Sequence, residues 1–176
     1  MSKVRLATMW LEGCSGCHMS LLDMDELLLQ LAEKIDLVYS PLVDAKEFPE
    51  DVDVVLIEGG VGNEEQLEML HLARERSKLL VSLGDCAVTA NVPGVRNLFD
   101  VDDVLERVYL EGATVQAQVP NQVVPALLPQ VHPLHRHVKV DEFIPGCPPG
   151  PELIFFIVSE LLEGRIPGRG IRSKFG

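Results

Sequence analysis

Four cysteines carry the chemistry that this sequence can offer. Cys14 and Cys17 stand as C-x-x-C, with Gly13 and Gly16 just before them. Cys86 and Cys147 follow as distant singles, in G-D-C-A and P-G-C-P-P. Thiolates are soft, anionic ligands that suit zinc or iron–sulfur clusters, and a C-x-x-C pair can also be a redox dithiol. A structural zinc site usually draws on two close pairs, whereas here one pair is joined by two singles. A dithiol would use Cys14 and Cys17 alone and leave Cys86 and Cys147 without a role. A [4Fe–4S] cradle takes four thiolates, with glycines beside them so that backbone can come close. At the level of these residues all three readings stand, and the last uses every cysteine.

The elements that must position these residues alternate along the chain. Residues 3–10 read as a strand, 18–34 as a leucine-rich helix, and 36–42 and 53–57 as strands. Asn63 can cap a helix running to 77. Residues 78–83 form a fourth strand, and 101–110 an acidic helix. Residues 114–137 hold Pro120, Pro125, Pro129 and Pro133 and read as irregular, with one short helix at most. Residues 139–144 form a last strand, and Pro151 opens a helix to 162. The strands are continuous apolar runs, which predicts an α/β fold, a parallel sheet covered by helices on both faces. Ligands gather at the carboxyl ends of such strands. Each cysteine loop follows a strand end, so all four thiols should meet at one edge, with Glu58 beside them.

Three ionisable residues are candidates for a place near such a site. Glu12 and Glu58 could carry a proton or a ligand bond; equally, Glu12 is a turn residue and Glu58 a carboxylate capping N–H groups at the sheet edge. His18 could donate to the site, or be a helix-start side chain satisfied elsewhere. His132, His135 and His137 form H-x-x-H-x-H. No cysteine or carboxylate pattern completes a metal site there, so an exposed or interfacial loop is expected.

The bulk of the chain narrows the class. At 176 residues it is long enough for one well-packed domain, and 47% hydrophobic content fits an ordered one. A net charge of −12 does not suit nucleic acid, which demands a basic face. No apolar stretch approaches the roughly 20 residues of a membrane helix, and nothing before the first strand resembles a leader. The expectation is a cytoplasmic protein, with no membrane partner, whose thiols are not disulfides. Residues 1–163 are expected to form the domain. Residues 164–176 form a tail with Arg165, Arg169, Arg172 and Lys174 and no acid, able to dock on an acidic partner.

Four segments together resemble a known family: WLEGCSGC (10–17), IEGGVGNEE (57–65), GDCAVTANVPGVRN (84–97) and IPGCPPGPE (144–152). They are similar to the small subunit of nickel–iron hydrogenases, more narrowly the cytoplasmic, bidirectional, NAD-reducing kind. The resemblance implies a flavodoxin-like, doubly wound domain with one proximal [4Fe–4S] cluster at the carboxyl edge of its strands. It implies Cys14, Cys17, Cys86 and Cys147 as ligands and no catalytic residue of the chain's own. The implied role is electron transfer between a nickel–iron site in a large subunit and diaphorase subunits holding further clusters, FMN and NAD. The loop where flavodoxins bind the FMN phosphate is here the C-x-x-C loop, so no flavin is expected in this chain.

The sequence also departs from that family. There are no further cysteines for the two extra clusters that many relatives carry, and no twin-arginine leader. Ala90-Asn91 stands where many relatives have a glycine pair. The quinone-reductase relative in complex I has two adjacent cysteines in place of the spaced pair. The alternatives are a zinc-stabilised α/β interaction module, or the small subunit of a related hydrogenase or complex I-like quinone reductase.

Overall fold

A computed structural model describes residues 3–167. Its centre is a five-stranded sheet of β1 (Val4–Trp10), β2 (Ile35–Tyr39), β3 (Val52–Glu58), β5 (Ser77–Leu83) and β7 (Glu142–Ile144). The order is β2-β1-β3-β5-β7 and every pair is parallel. Counted along the sheet this is the flavodoxin-like order, with the direction of winding reversing between β1 and β3. A separate ribbon pairs β4 (Val61–Asn63) with β6 (Leu127–His132), antiparallel.

The register explains why the cysteine loops converge. Trp10 lies opposite Glu58, Glu58 opposite Leu83, and Leu83 opposite Ile144. That row is the carboxyl edge of four adjacent strands. Three of them run on directly into the loops that carry Cys14 and Cys17, Cys86, and Cys147.

β3 shows why these strands are apolar throughout. Val55 and Ile57 pack on one face, with Leu70 and Ala73 of α3 (Glu64–Arg76). Val54 and Leu56 pack on the other, with Ile154, Ile157, Val158 and Leu161 of α6 (Pro151–Leu162). The α6 residues recur at the spacing of one helix face. α1 (Gly16–Leu22) and α2 (Glu26–Ala32) cover that second face too. α3 starts on a reciprocal cap: Asn63 Oδ1 accepts from Gln66 N–H, and Gln66 Oε1 accepts from Gly62 N–H, both at 2.8 Å.

Several elements depart from expectation. The helix expected over 18–34 is two helices, broken at residues 23–25. Met24 turns into the core there, and Asp25 takes φ +47°. The stretch 114–137 contains a strand, β6, whose Pro129 is tolerated because the ribbon is only two strands wide. Its only helical turn is 3₁₀, at Leu134–Arg136. The acidic helix is α5 (Val101–Glu106), continuing as a π turn over Arg107–Glu111. α4 (Asp85–Thr89) and a 3₁₀ segment at Pro93–Leu98 follow β5. The last strand begins at Glu142 because Asp141 is engaged at its entry: its carboxylate accepts Leu80 N–H at 2.9 Å and pairs with Arg74 at 2.6 Å.

Candidate metal centre

Each thiol is delivered by a tight local device. Cys14 lies in the turn after β1, where Ser15 takes φ +67° and Gly16 N–H reaches Cys14 Sγ at 3.4 Å. Cys17 is in the first turn of α1. Cys86 is in α4, and Cys147 lies between β7 and α6. The four line one cavity of about 120 Å³, together with Glu58 and Asp85. All four are free thiols; Cys14 and Cys147 are exposed, Cys17 and Cys86 half-buried.

Close approach dictates two of the glycines. Gly84 has φ +81°, and a Cβ there would collide with Cys17 Sγ. Gly146 has φ +140°, and a Cβ there would lie 2.5 Å from Pro149 Cα. Only glycine allows both the conformation and the space. Ala90 and Asn91, in place of the glycine pair of many relatives, take φ +68° and +21°. The loop keeps a left-handed turn without the residue that makes it easy.

Hydrogen bonds tie the loops together. Glu12 and Gly60 exchange backbone bonds at 3.0 and 2.8 Å, and Leu11 N–H reaches Glu58 O at 2.9 Å. These hold the Cys14 loop on the end of β3. Ser20 Oγ donates to Pro149 O at 2.5 Å, joining α1 to the Cys147 loop. Asp85 Oδ1 accepts Gly146 N–H at 2.7 Å, joining the Cys86 and Cys147 loops.

Burial pushes the Cys17 thiol far up, and Glu58, Cys86, Cys14 and Cys147 add to the rise. Burial also raises Cys86, opposed by a bond from Val92 N–H and reinforced by Cys147, Cys14 and Glu58. Negative charge on the neighbouring thiols thus opposes ionisation of Cys17 and Cys86. Four thiolates here require a cationic centre to offset them. Among the described residues no three or more His, Cys, Asp or Glu side chains close round a single metal ion; the four thiols instead surround a space. A soft, four-thiolate donor set around a space with glycine walls fits an iron–sulfur cluster.

The ionisable candidates separate. Glu58 lines the cavity, yet is only 2% exposed, and its Oε2 accepts His18 backbone N–H at 2.6 Å. His18 is 1% exposed behind the cavity, its Nδ1 2.8 Å from the same Glu58 oxygen and its Nε2 2.9 Å from Thr8 Oγ1. Thr8 Oγ1 donates to Ser40 Oγ at 2.8 Å. Glu12 is half-buried, its carboxyl packs over Gly62, and it is not among the residues that line the cysteine cavity. Burial raises its pKa, with Arg96 opposing. His132 and His137 lie with ring centres 5.3 Å apart and planes tilted by 42°, and His135 packs edge-on to Phe143 at 6.0 Å; the three do not converge. Arg165 is engaged by Glu160 and Glu163 of its own chain, and residues 168–176 of the tail lie outside the described residues. Sequence reasoning does not reach Asp85, Thr8 or Ser40; the one signal for Asp85 is its place between a strand end and Cys86.

Residues 14–161 match the family model of the NADH ubiquinone oxidoreductase 20 kDa subunit. Over 168 residues the chain is 44% identical to the delta subunit of the NAD-reducing hydrogenase HoxS of Cupriavidus necator, covering 93% of this chain and 80% of that one. The chain belongs to the small-subunit family of NAD-reducing nickel–iron hydrogenases.

Subunits of other hydrogenases are also similar to this small subunit. One from the vhu F420-non-reducing hydrogenase of Methanocaldococcus jannaschii is 40% identical over 166 residues, covering 93% of this chain and 58% of that one. The chain therefore spans little more than half of that relative. In a solved NAD⁺-reducing [NiFe]-hydrogenase in the H₂-reduced state, one chain superposes with a TM-score of 0.91 at 42% identity, covering 97% of both. Among the described residues no helix is long and apolar enough to cross a membrane.

Proposed function

We propose that this small subunit holds one [4Fe–4S] cluster on Cys14, Cys17, Cys86 and Cys147. In this reading it relays electrons between the nickel–iron centre of a large-subunit partner and a diaphorase module with its own clusters, FMN and NAD. The observation that carries the proposal is the meeting of four thiols from three strand-end loops on one cavity. Bound there, the cluster supplies one-electron uptake and release.

The chain's residues do the rest. The thiolates ligate, and Gly16 N–H and Val92 N–H point at Cys14 and Cys86 sulfur, stabilising negative charge on them. Glu58 holds the start of α1 through His18 N–H and so fixes Cys17. Exposed Val92, Val95, Leu98 and Phe99 follow directly on the Cys86 helix. They form an apolar rim of the kind a partner subunit covers. Reduction of NAD places the assembly in the cytoplasm, and the reducing conditions there keep the four thiols free for metal.

Anaerobically purified protein tests this. A brown product with iron and sulfide near four each per chain is expected. A colourless product with one zinc supports the interaction-module reading instead.

A further inference from the structure

Asp85 stands between two of the cysteine loops. It is one residue before Cys86, and Gly146 is one residue before Cys147. Asp85 Oδ1 accepts Gly146 N–H at 2.7 Å, and Asp85 N–H donates to Gly146 O at 2.9 Å. Gly84 N–H adds a third rung, to Ile144 O at 2.7 Å. The two loops are therefore clasped by the residues that immediately precede their thiols. This clasp is made by protein groups and ties the Cys86 loop to the Cys147 loop.

The acceptor in this clasp is chemically more than the hydrogen bond requires. An amide or hydroxyl oxygen can also accept Gly146 N–H, in a weaker, neutral bond. A carboxylate adds negative charge to a cavity already lined by four thiols and Glu58. Among the described residues no lysine or arginine lines that cavity. A negative charge at short range, in surroundings less polar than water, opposes each further electron placed in the cavity.

We propose that Asp85 is a positioning residue that sets the Cys86–Cys147 spacing through its clasp on Gly146, and whose charge holds the bound cluster at a low reduction potential. The proposal rests on the cluster reading above and names a residue that tunes it.

Two kinds of variant separate the clasp from the charge. Asp85→Asn keeps an oxygen for Gly146 N–H and removes the charge; Asp85→Ser is a second neutral acceptor should the amide fit poorly. Asp85→Ala removes both. Each is prepared in complex with the large subunit. Iron and sulfide are assayed, and the midpoint potential is read by electron paramagnetic resonance at poised potentials. The expected result is full iron content for Asn or Ser, with a midpoint more positive than wild type. For Ala the expected result is a several-fold loss of iron on dilution or chelator challenge and an altered resonance line shape. A wild-type midpoint in both neutral variants overturns the role of the charge. Wild-type iron retention and line shape in Ala overturns the clasp. Wild-type complex lacking iron and sulfide sinks the cluster reading itself, and the Asp85 assignment with it; that result is distinguishable because it appears before any substitution is made.

Discussion

Glu58 Oε2 binds one residue twice: it accepts His18 backbone N–H at 2.6 Å and lies 2.8 Å from His18 Nδ1. Both groups are buried, so neither can turn to water. The pair anchors the residue after Cys17 to the end of β3, across the point where the sheet's winding reverses.

Removing that anchor should therefore loosen the turn that carries Cys17. Glu58→Ala strands a buried N–H, which costs about 1–3 kcal/mol. Chemical unfolding should show a loss of that size, and the variant should release iron faster than wild type under chelator. Unchanged stability and iron retention would contradict the anchoring role.

The far side of His18 makes a second test. Thr8→Val keeps the shape of the side chain but deletes the hydroxyl bonded to His18 Nε2 and Ser40 Oγ. The expected destabilisation is again about 1–3 kcal/mol. Thr8 lies outside the cysteine cavity, so iron and sulfide content should stay at wild-type levels.

Much of this site is legible in the sequence because it depends on strand ends. β3 reads as a strand because its residues are buried on both faces, and Cys86 and Cys147 read as edge residues because apolar runs stop just before them. What escapes depends on distant partners. Nothing in residues 18–34 announces that Met24 must turn into the core, since the leucines on either side continue a helical pattern. β4 is too short to show a period at all. The role of Asp85 rests on a bond to a residue 61 positions away. Gln66 is hidden as a cap for the opposite reason, because its partner Gly62 belongs to that same short strand.

Gly84 gives a steric prediction. Gly84→Ala adds a Cβ where Cys17 Sγ lies and strains a φ of +81°. The variant should fold with a displaced Cys17 loop or not hold iron, and its visible absorbance per chain should fall several-fold. Wild-type absorbance would show that the loop yields more readily than its geometry indicates.

Asp141 sets a pH dependence at the opposite end of β7. Burial alone would push its carboxyl up, but bonds from Leu80 N–H, Lys139 and Arg74 outweigh that and hold it below its ordinary value of 3.8. A carboxyl depressed in the folded state stabilises above its unfolded pKa and loses that contribution as pH falls. Wild-type thermal stability should thus decline as pH drops through about 4 and below. Asp141→Asn should be less stable at neutral pH and show a shallower acid decline. Parallel curves for the two proteins would contradict this assignment.

The central claim is that electrons leave the large subunit through the four-cysteine site. The most direct measurement compares two activities in the purified complex carrying Cys147→Ala: hydrogen-isotope exchange, which needs only the nickel–iron centre, and dihydrogen-dependent NAD⁺ reduction, which also needs the relay. The account predicts that exchange persists while NAD⁺ reduction falls at least about a hundredfold, the upper end of the loss when only a residue supporting a metal ligand is removed. NAD⁺ reduction at the wild-type rate would contradict it.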